Sequence, residues 1–159
     1  ALGKMEVSSI ETEQLRVAIA TAARLGCWSP EATQLLRTAK VVLQLREALQ
    51  QHSGIDLGVV ITDSHNRPWR MGTIGCAIGC AGIRVLDDQV GGRDIYGRTL
   101  HATLINRADA IASAATLVMG ETIEKLPVVI VRGLNSTQTL NDQDNASMIN
   151  RPLEEDLFR

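Results

Sequence analysis

Val59-Val60-Ile61-Thr62-Asp63-Ser64-His65-Asn66-Arg67-Pro68-Trp69-Arg70 passes from aliphatic, β-branched residues straight into a carboxylate, a hydroxyl and paired guanidinium groups. Together with Leu57 and Gly58, the stretch up to Thr62 is a short continuous apolar run, the pattern of a buried strand. Asp63 to Gly72 then reads as a polar elbow. A chain end that gathers an acid, an alcohol and fixed cations behind a buried strand suits a phosphate and its divalent metal.

Upstream, Ser8-Ser9-Ile10-Glu11 has capping-box form, and Leu15, Ala18, Ile19 and Ala22 fall on one helical face before Gly26. Ser29-Pro30-Glu31 starts a second helix, whose apolar stripe (Leu35, Leu36, Ala39, Val42, Leu43, Leu49) runs to Gln51 and stops at Gly54. Residues 1–52 therefore read as an N-terminal α-hairpin with Cys27 and Trp28 in its turn. Downstream, Thr73 to Ile83 is built almost entirely of small residues. It reads as an irregular strand where two backbones, or a backbone and a ligand, come close. Asp87 to Arg98 is a glycine-punctuated loop, and Leu100 to Ile105 alternates like a strand. Residues 107–119 predict a buried alanine-rich helix ended by Gly120, and Pro127 to Val131 another strand. From Asn135 the chain turns polar, an arm without the apolar content for its own core, with Leu157 and Phe158 as docking residues at its end. The fold class expected is α/β (α+β): a helical hairpin over 1–52, a mixed-sheet core over 53–134 and a polar arm over 135–159.

Composition limits the functions open to such a domain. At 159 residues it can bury ~70% of its unfolded surface. With 3% aromatic residues there is no stacking platform for single-stranded nucleic acid, and a net charge of −2 gives no footprint for nucleic acid or an anionic membrane. No apolar stretch approaches the ~20 residues of a membrane span. Nothing marks export, and Cys27, Cys76 and Cys80 have no zinc spacing with the histidines, so a reducing cytoplasm is the expected setting.

Asp63 and Ser64 offer adjacent hard oxygens for Mg2+ or Mn2+; the plainer alternative is a turn cap and a backbone-bonding hydroxyl. Arg67-Pro68-Trp69-Arg70 presents forks for phosphate or carboxylate and a tryptophan wall; the alternative is a surface turn with Trp69 plugging an apolar edge. Gly120-Glu121 could bring backbone amides and a second acid to the same metal, or be a helix cap followed by an exposed acid. Asp94 could orient a substrate amine, or hold its loop together. Cys76 and Cys80 read as small buried thiols. Walker-type glycine loops, dinucleotide fingerprints and nucleophile elbows are absent from the sequence.

Several segments, in order, resemble the coenzyme F-420-0:L-glutamate ligase (gamma-glutamyl ligase) family. They are Gly58–Ser64 with Arg67-Pro68-Trp69-Arg70-Met71-Gly72, Ala77–Ile83, Asp94–Leu100, Ala108-Asp109, Leu117–Glu121, Pro127–Leu134 and the ending Arg151-Pro152 to Arg159. The similarity runs from about Leu35 to Arg159. It implies a GTP- and divalent-metal-dependent ligase that adds glutamate to a deazaflavin precursor carboxylate through an acyl phosphate. On that resemblance Asp63, Ser64 and Glu121 fall on metal positions, with K+ a further candidate cation. Gly120 to Pro127 falls on a guanine-nucleotide segment, with Trp69 a further binding residue, and Arg67, Arg70 and Asp94 are the candidate catalytic groups. Ser64 replaces the commoner threonine, His65-Asn66 the usual Phe-Gly, and Ala110 an acid. The family's longer front portion, which carries further phosphate and metal contacts, has no counterpart in residues 1–34. A partner supplying that missing N-terminal half is therefore expected, as is a homodimer through the Gly75–Gly82 strand and the tail. The alternative is a shortened, non-catalytic paralogue serving as a binding or assembly module.

Overall fold

The computed structural model describes residues 3–6, 16–21, 32–67, 69–134 and 141–155, with backbone alone for those up to Thr38 and for Leu153. Seven strands and two α-helices follow one another as β1 (Gly3–Glu6), β2 (Arg16–Thr21), α1 (Ala32–Ser53), β3 (Leu57–Asn66), β4 (Thr73–Ala81), β5 (Leu86–Asp88), β6 (Leu104–Asn106), α2 (Arg107–Met119) and β7 (Val128–Arg132) among the described residues. Short 3-10 turns at Ala146–Ile149 and Leu153–Glu155 close the described chain. Five strands form one mixed sheet in the order β1-β7-β2-β3-β4, and β5 pairs with β6 in a separate ribbon.

The register explains the run that opens the sequence. β3 lies between β2, parallel to it, and β4, antiparallel, so every backbone group of its buried part can pair. Both faces are covered. Val59 and Ile61 pack with Val42 and Ala81 on the α1 side, while Val60 packs with Cys80, Ile111, Ala112 and Ala115 on the α2 side. A strand covered on both faces needs apolar residues at every position, and Leu57 to Thr62 are all buried.

The expected N-terminal α-hairpin is corrected. Arg16–Thr21 is a sheet strand, paired with β3 and with β7, and Gly3–Glu6 runs parallel to β7. Only the second helix of that hairpin stands, as α1, and it ends where expected, with the Gly54 amide donating to the Gln50 carbonyl and Gly54 at φ +66°. The remainder of the expected first helix and its turn, with Cys27 and Trp28, lies outside the described residues, as do Leu157 and Phe158. The strand expected over Leu100–Ile105 is shorter and later, at Leu104–Asn106.

The polar arm is tied to the core where it is described. Asp144 accepts the Val85 amide (3.0 Å), Arg46 bridges to Asp142 (2.7 Å), and Ala146 is buried in the α2-side core. No helix among the described residues is long and apolar enough to cross a membrane.

Candidate functional site

β3 does not end at Thr62. It continues through Asp63–Asn66, still paired with β4, so Asp63 and Ser64 sit on a strand and not in the elbow expected for them. The consequence is geometric. Successive strand residues point to opposite faces. Ser64 pairs with Gly75, whose missing Cβ would face α2, so Ser64 lies on the α2 side. Asp63 continues the Val59–Ile61 row on the α1 side. The half-buried Asp63 also accepts the Ser64 backbone amide at 2.8 Å.

Helix α2 brings the next group. Its N-terminus is capped by Asn106, whose side chain accepts the Asp109 amide (3.0 Å) and donates to the Asp109 carboxylate (2.7 Å). The other Asp109 oxygen accepts the Ala77 amide at 2.8 Å, beside the register shift between Ile61 and Thr62 where β4 holds an extra residue. One turn later Ser113 donates to the Gly75 carbonyl (2.8 Å). The helix therefore advances from Ala77 toward Gly75, and its C-terminus delivers Gly120 and Glu121 to the end of the sheet that holds Ser64. Asn106-x-x-Asp109 has capping-box form, a signal that would have found this pair in the sequence.

Pro127 arrives at the same end. The residue after it, Val128, pairs with Ala20, and Ala20 with Ile61. β7 and β3 are separated by β2 alone, so Val128 stands about 10 Å from Ile61, five residues before β3 ends at Asn66. Beyond Gly120, the Glu124 carboxylate folds back over the glycine and accepts the Thr122 amide (2.9 Å), a bond that holds it below the usual carboxylate range; Glu121 is exposed. Gly120 has φ +70°, and a Cβ there would meet that folded carboxylate. Arg67, Trp69 and Arg70 are exposed in the turn that leaves β3.

Asp94 lies in the loop between β5 and β6, which in the chain follows the Ala81 end of β4. One oxygen accepts the amides of Tyr96 and Arg98 (2.8 and 2.9 Å), the other the Arg98 guanidinium (2.7 Å). The Arg98 amide foremost, with that guanidinium and the Tyr96 amide, draws its carboxyl below the ordinary range. These are the bonds of the loop-holding alternative. Of the thiols, Cys80 is free and buried, whereas Cys76, opposite Asp63 in the register, is disulfide-bonded, which corrects the reading of both as small buried thiols.

Asp63, Ser64 and the arginine turn thus follow one another along and beyond the end of β3, while Gly120 and Glu121 follow the last turn of α2 and Pro127 precedes β7. A family model described as F420-0:Gamma-glutamyl ligase matches residues 36–133, which include all of them. The chain belongs to that family. Among proteins similar to it, the coenzyme F420:L-glutamate ligase of Methanopyrus kandleri is 44% identical over 117 residues, covering 73% of this chain and 46% of the relative. That of Methanocaldococcus jannaschii is 43% identical over 116 residues, with 73% and 45% covered, and that of Methanothermobacter thermautotrophicus 40% identical over 116, with 73% and 46%. The chain spans about half the length of these curated relatives.

Among the described residues no group of three or more His, Cys, Asp or Glu side chains could hold a metal ion. Asp63 and Ser64 also start from opposite faces. These residues offer individual oxygen donors but do not themselves build a complete metal shell.

Proposed function

We propose that this chain is the acid-, hydroxyl- and arginine-bearing part of a gamma-glutamyl ligase acting on a precursor of the deazaflavin cofactor F-420. The reaction is amide formation. The γ-phosphoryl group of GTP passes to the acceptor carboxylate, the glutamate amine attacks the resulting acyl phosphate, and inorganic phosphate leaves. The observation that supports this reading best is the succession of Asp63, Ser64, Arg67 and Arg70 along and just beyond the end of β3, in a chain of this family. Phosphoryl transfer asks a protein mainly to position reacting groups and neutralise charge, and this set is suited to that work.

In the proposed roles, Arg67 and Arg70 hold phosphate or carboxylate oxygens, Trp69 is a ligand-binding residue and Gly120 to Pro127 border the nucleotide. Asp63, Ser64 and Glu121 are this chain's donors to Mg2+ or Mn2+, with K+ as a further cation and the rest of the shell coming from outside the described residues. Asp94 orients the incoming amine in this scheme. The working assembly is a homodimer in the cytoplasm, joined by the half that the relatives carry beyond the matched region.

The test is glutamyl addition to the deazaflavin precursor, followed by mass spectrometry with GTP and Mn2+, for the chain alone and with the relatives' remaining half supplied as a second polypeptide. A product in either case, lost in Asp63→Asn, supports the ligase. No product and no GTP binding in both would favour a non-catalytic binding or assembly module.

A further inference from the structure

Past Asp87 the β5–β6 ribbon runs on as a long hairpin that its own chain does not cover. The Gln89 amide donates to the Thr103 carbonyl (2.9 Å), the Gly91 amide to the Leu100 carbonyl (2.8 Å) and the Asp94 amide to the Arg98 carbonyl (2.9 Å), so the two strands stay joined up to the tip. No residue from Asp88 to Ile105 is buried. Five of them are large hydrophobic side chains in water: Val90, Ile95, Tyr96, Leu104 and Ile105, with Ile95 91% and Tyr96 77% exposed. Leu104 and Ile105 are successive strand residues, so the ribbon carries an exposed aliphatic group on either face. A two-stranded ribbon is marginal in water by itself, and closing this hairpin asks for neither Ile95 nor Tyr96. The tip is also ordered in advance, with the Arg98 guanidinium over the Tyr96 ring, 5.3 Å from its centre. An ordered tip loses little entropy when a partner covers it, and tyrosine and arginine are common interface anchors.

The hairpin is complementary to itself. Along Asp88-Gln89-Val90-Gly91-Gly92-Arg93 the acid stands at the base and the arginine toward the tip, and neither has an ion pair among the described residues. Turned end for end about a two-fold axis beside Val90, this stretch sets each Asp88 against the other copy's Arg93. The same rotation lays the apolar tip of each hairpin against the Leu104–Ile105 base of the other.

We propose that the β5–β6 hairpin is a dimerisation element that lies antiparallel along the same hairpin of a second copy, with Asp88 paired to the partner's Arg93 and Tyr96 seated on the partner's Leu104 and Ile105. This rests on the homodimer of the ligase reading above and names the surface that joins the copies.

The full chain is followed by analytical ultracentrifugation over a concentration series, without substrates. A monomer–dimer equilibrium is expected. Tyr96→Ser and Leu104→Ser each weaken it by about tenfold or more while the Tm of the monomer is unchanged, because both side chains are exposed there. Asp88→Lys and Arg93→Glu put like charges at both contacts and leave monomers. Mixing these two variants in equal amounts restores a dimer, since each contact then joins opposite charges; variants that had merely misfolded are not rescued by mixing. A parent chain that stays monomeric, a dimer that keeps its affinity in Tyr96→Ser and Leu104→Ser, or a mixture that stays monomeric overturns the proposal. So does a monomeric parent that needs Tyr96 to bind the relatives' remaining half, which makes that half the occupant. Product formation judges the ligase reading separately. A dimer without product removes the ligase alone, and product from a chain whose association ignores these variants removes the hairpin contact alone.

Discussion

Asp87 is a buried carboxylate whose neighbours keep it ionised. Arg107 donates to Oδ2 through Nε (3.1 Å) and Nη2 (2.6 Å), Gln89 to Oδ1 (2.9 Å), and Arg84 stands 3.5 Å away. The Arg107 bonds outweigh the opposing effect of burial and hold the carboxyl below its ordinary value of 3.8. The sign follows directly. A carboxyl with a lowered folded pKa stabilises the fold above its unfolded value and loses that contribution as pH falls through the folded one. Asp87→Asn is therefore expected to lower Tm at pH 7, and the two Tm-against-pH curves should converge below about pH 4. A gap that stays constant with pH would remove this charge from the acid response. Cys80 behaves in the opposite sense. Burial first, then the charges of Asp109 and Asp144, push its thiol up to about 12. At pH 8 it should resist iodoacetamide in the native protein and react once denatured, as read by mass; native labelling would contradict the enclosed thiol.

Helix α2 and strand β4 meet so closely that the glycine between them is structural. A Cβ on Gly75 would lie 2.6 Å from the Ala112 carbonyl oxygen, a backbone atom that cannot swing away, and would also strike the Thr116 hydroxyl. Gly75→Ala should destabilise the protein by about 1–3 kcal/mol in urea unfolding, the range for overpacking. Trimming Thr116 to alanine in the same chain should recover little of it; full recovery would place the clash on the side chain. This contact was partly legible, since the small-residue run from Thr73 to Ile83 already implied a close backbone approach. α1, α2, the buried part of β3 and β7 were legible as well, because period and punctuation agreed in each. β2 was not. Leu15, Ala18, Ile19 and Ala22 match a helical face, yet Arg16–Thr21 pairs along both edges, and those tertiary ladders override local propensity. The site was legible as a list of residue types. Which face each would occupy was not, because that depends on β3 running on through Asn66 against β4, a long-range pairing with no local signal in polar residues.

At the scale of the whole molecule, Arg46 fastens three distant parts of the chain. From α1 its Nε donates to the Leu57 carbonyl at the start of β3 (2.7 Å), and its Nη2 reaches Asp56 (3.0 Å) and, in the C-terminal arm, Asp142 (2.7 Å). Gly82 at φ +71° leaves room for the guanidinium, since a Cβ there would collide with it. The two partner acids are 64% and 75% exposed, so those ion pairs add little by themselves. The Arg46 side chain is 13% exposed, and its Nε bond to the Leu57 carbonyl is the larger contribution. Arg46→Met, which keeps most of the aliphatic stem, should lower stability by about 1–2 kcal/mol. Arg46→Lys should do nearly as badly, because an ammonium cannot serve the carbonyl and both acids in one plane. The arm reports the same event two residues further on. Asp144 accepts the Val85 amide only while residues 141–146 stay seated, so hydrogen exchange at Val85 should quicken in both variants. If Arg46→Lys keeps parental stability and Val85 protection, net charge rather than the guanidinium fork holds the arm against the sheet.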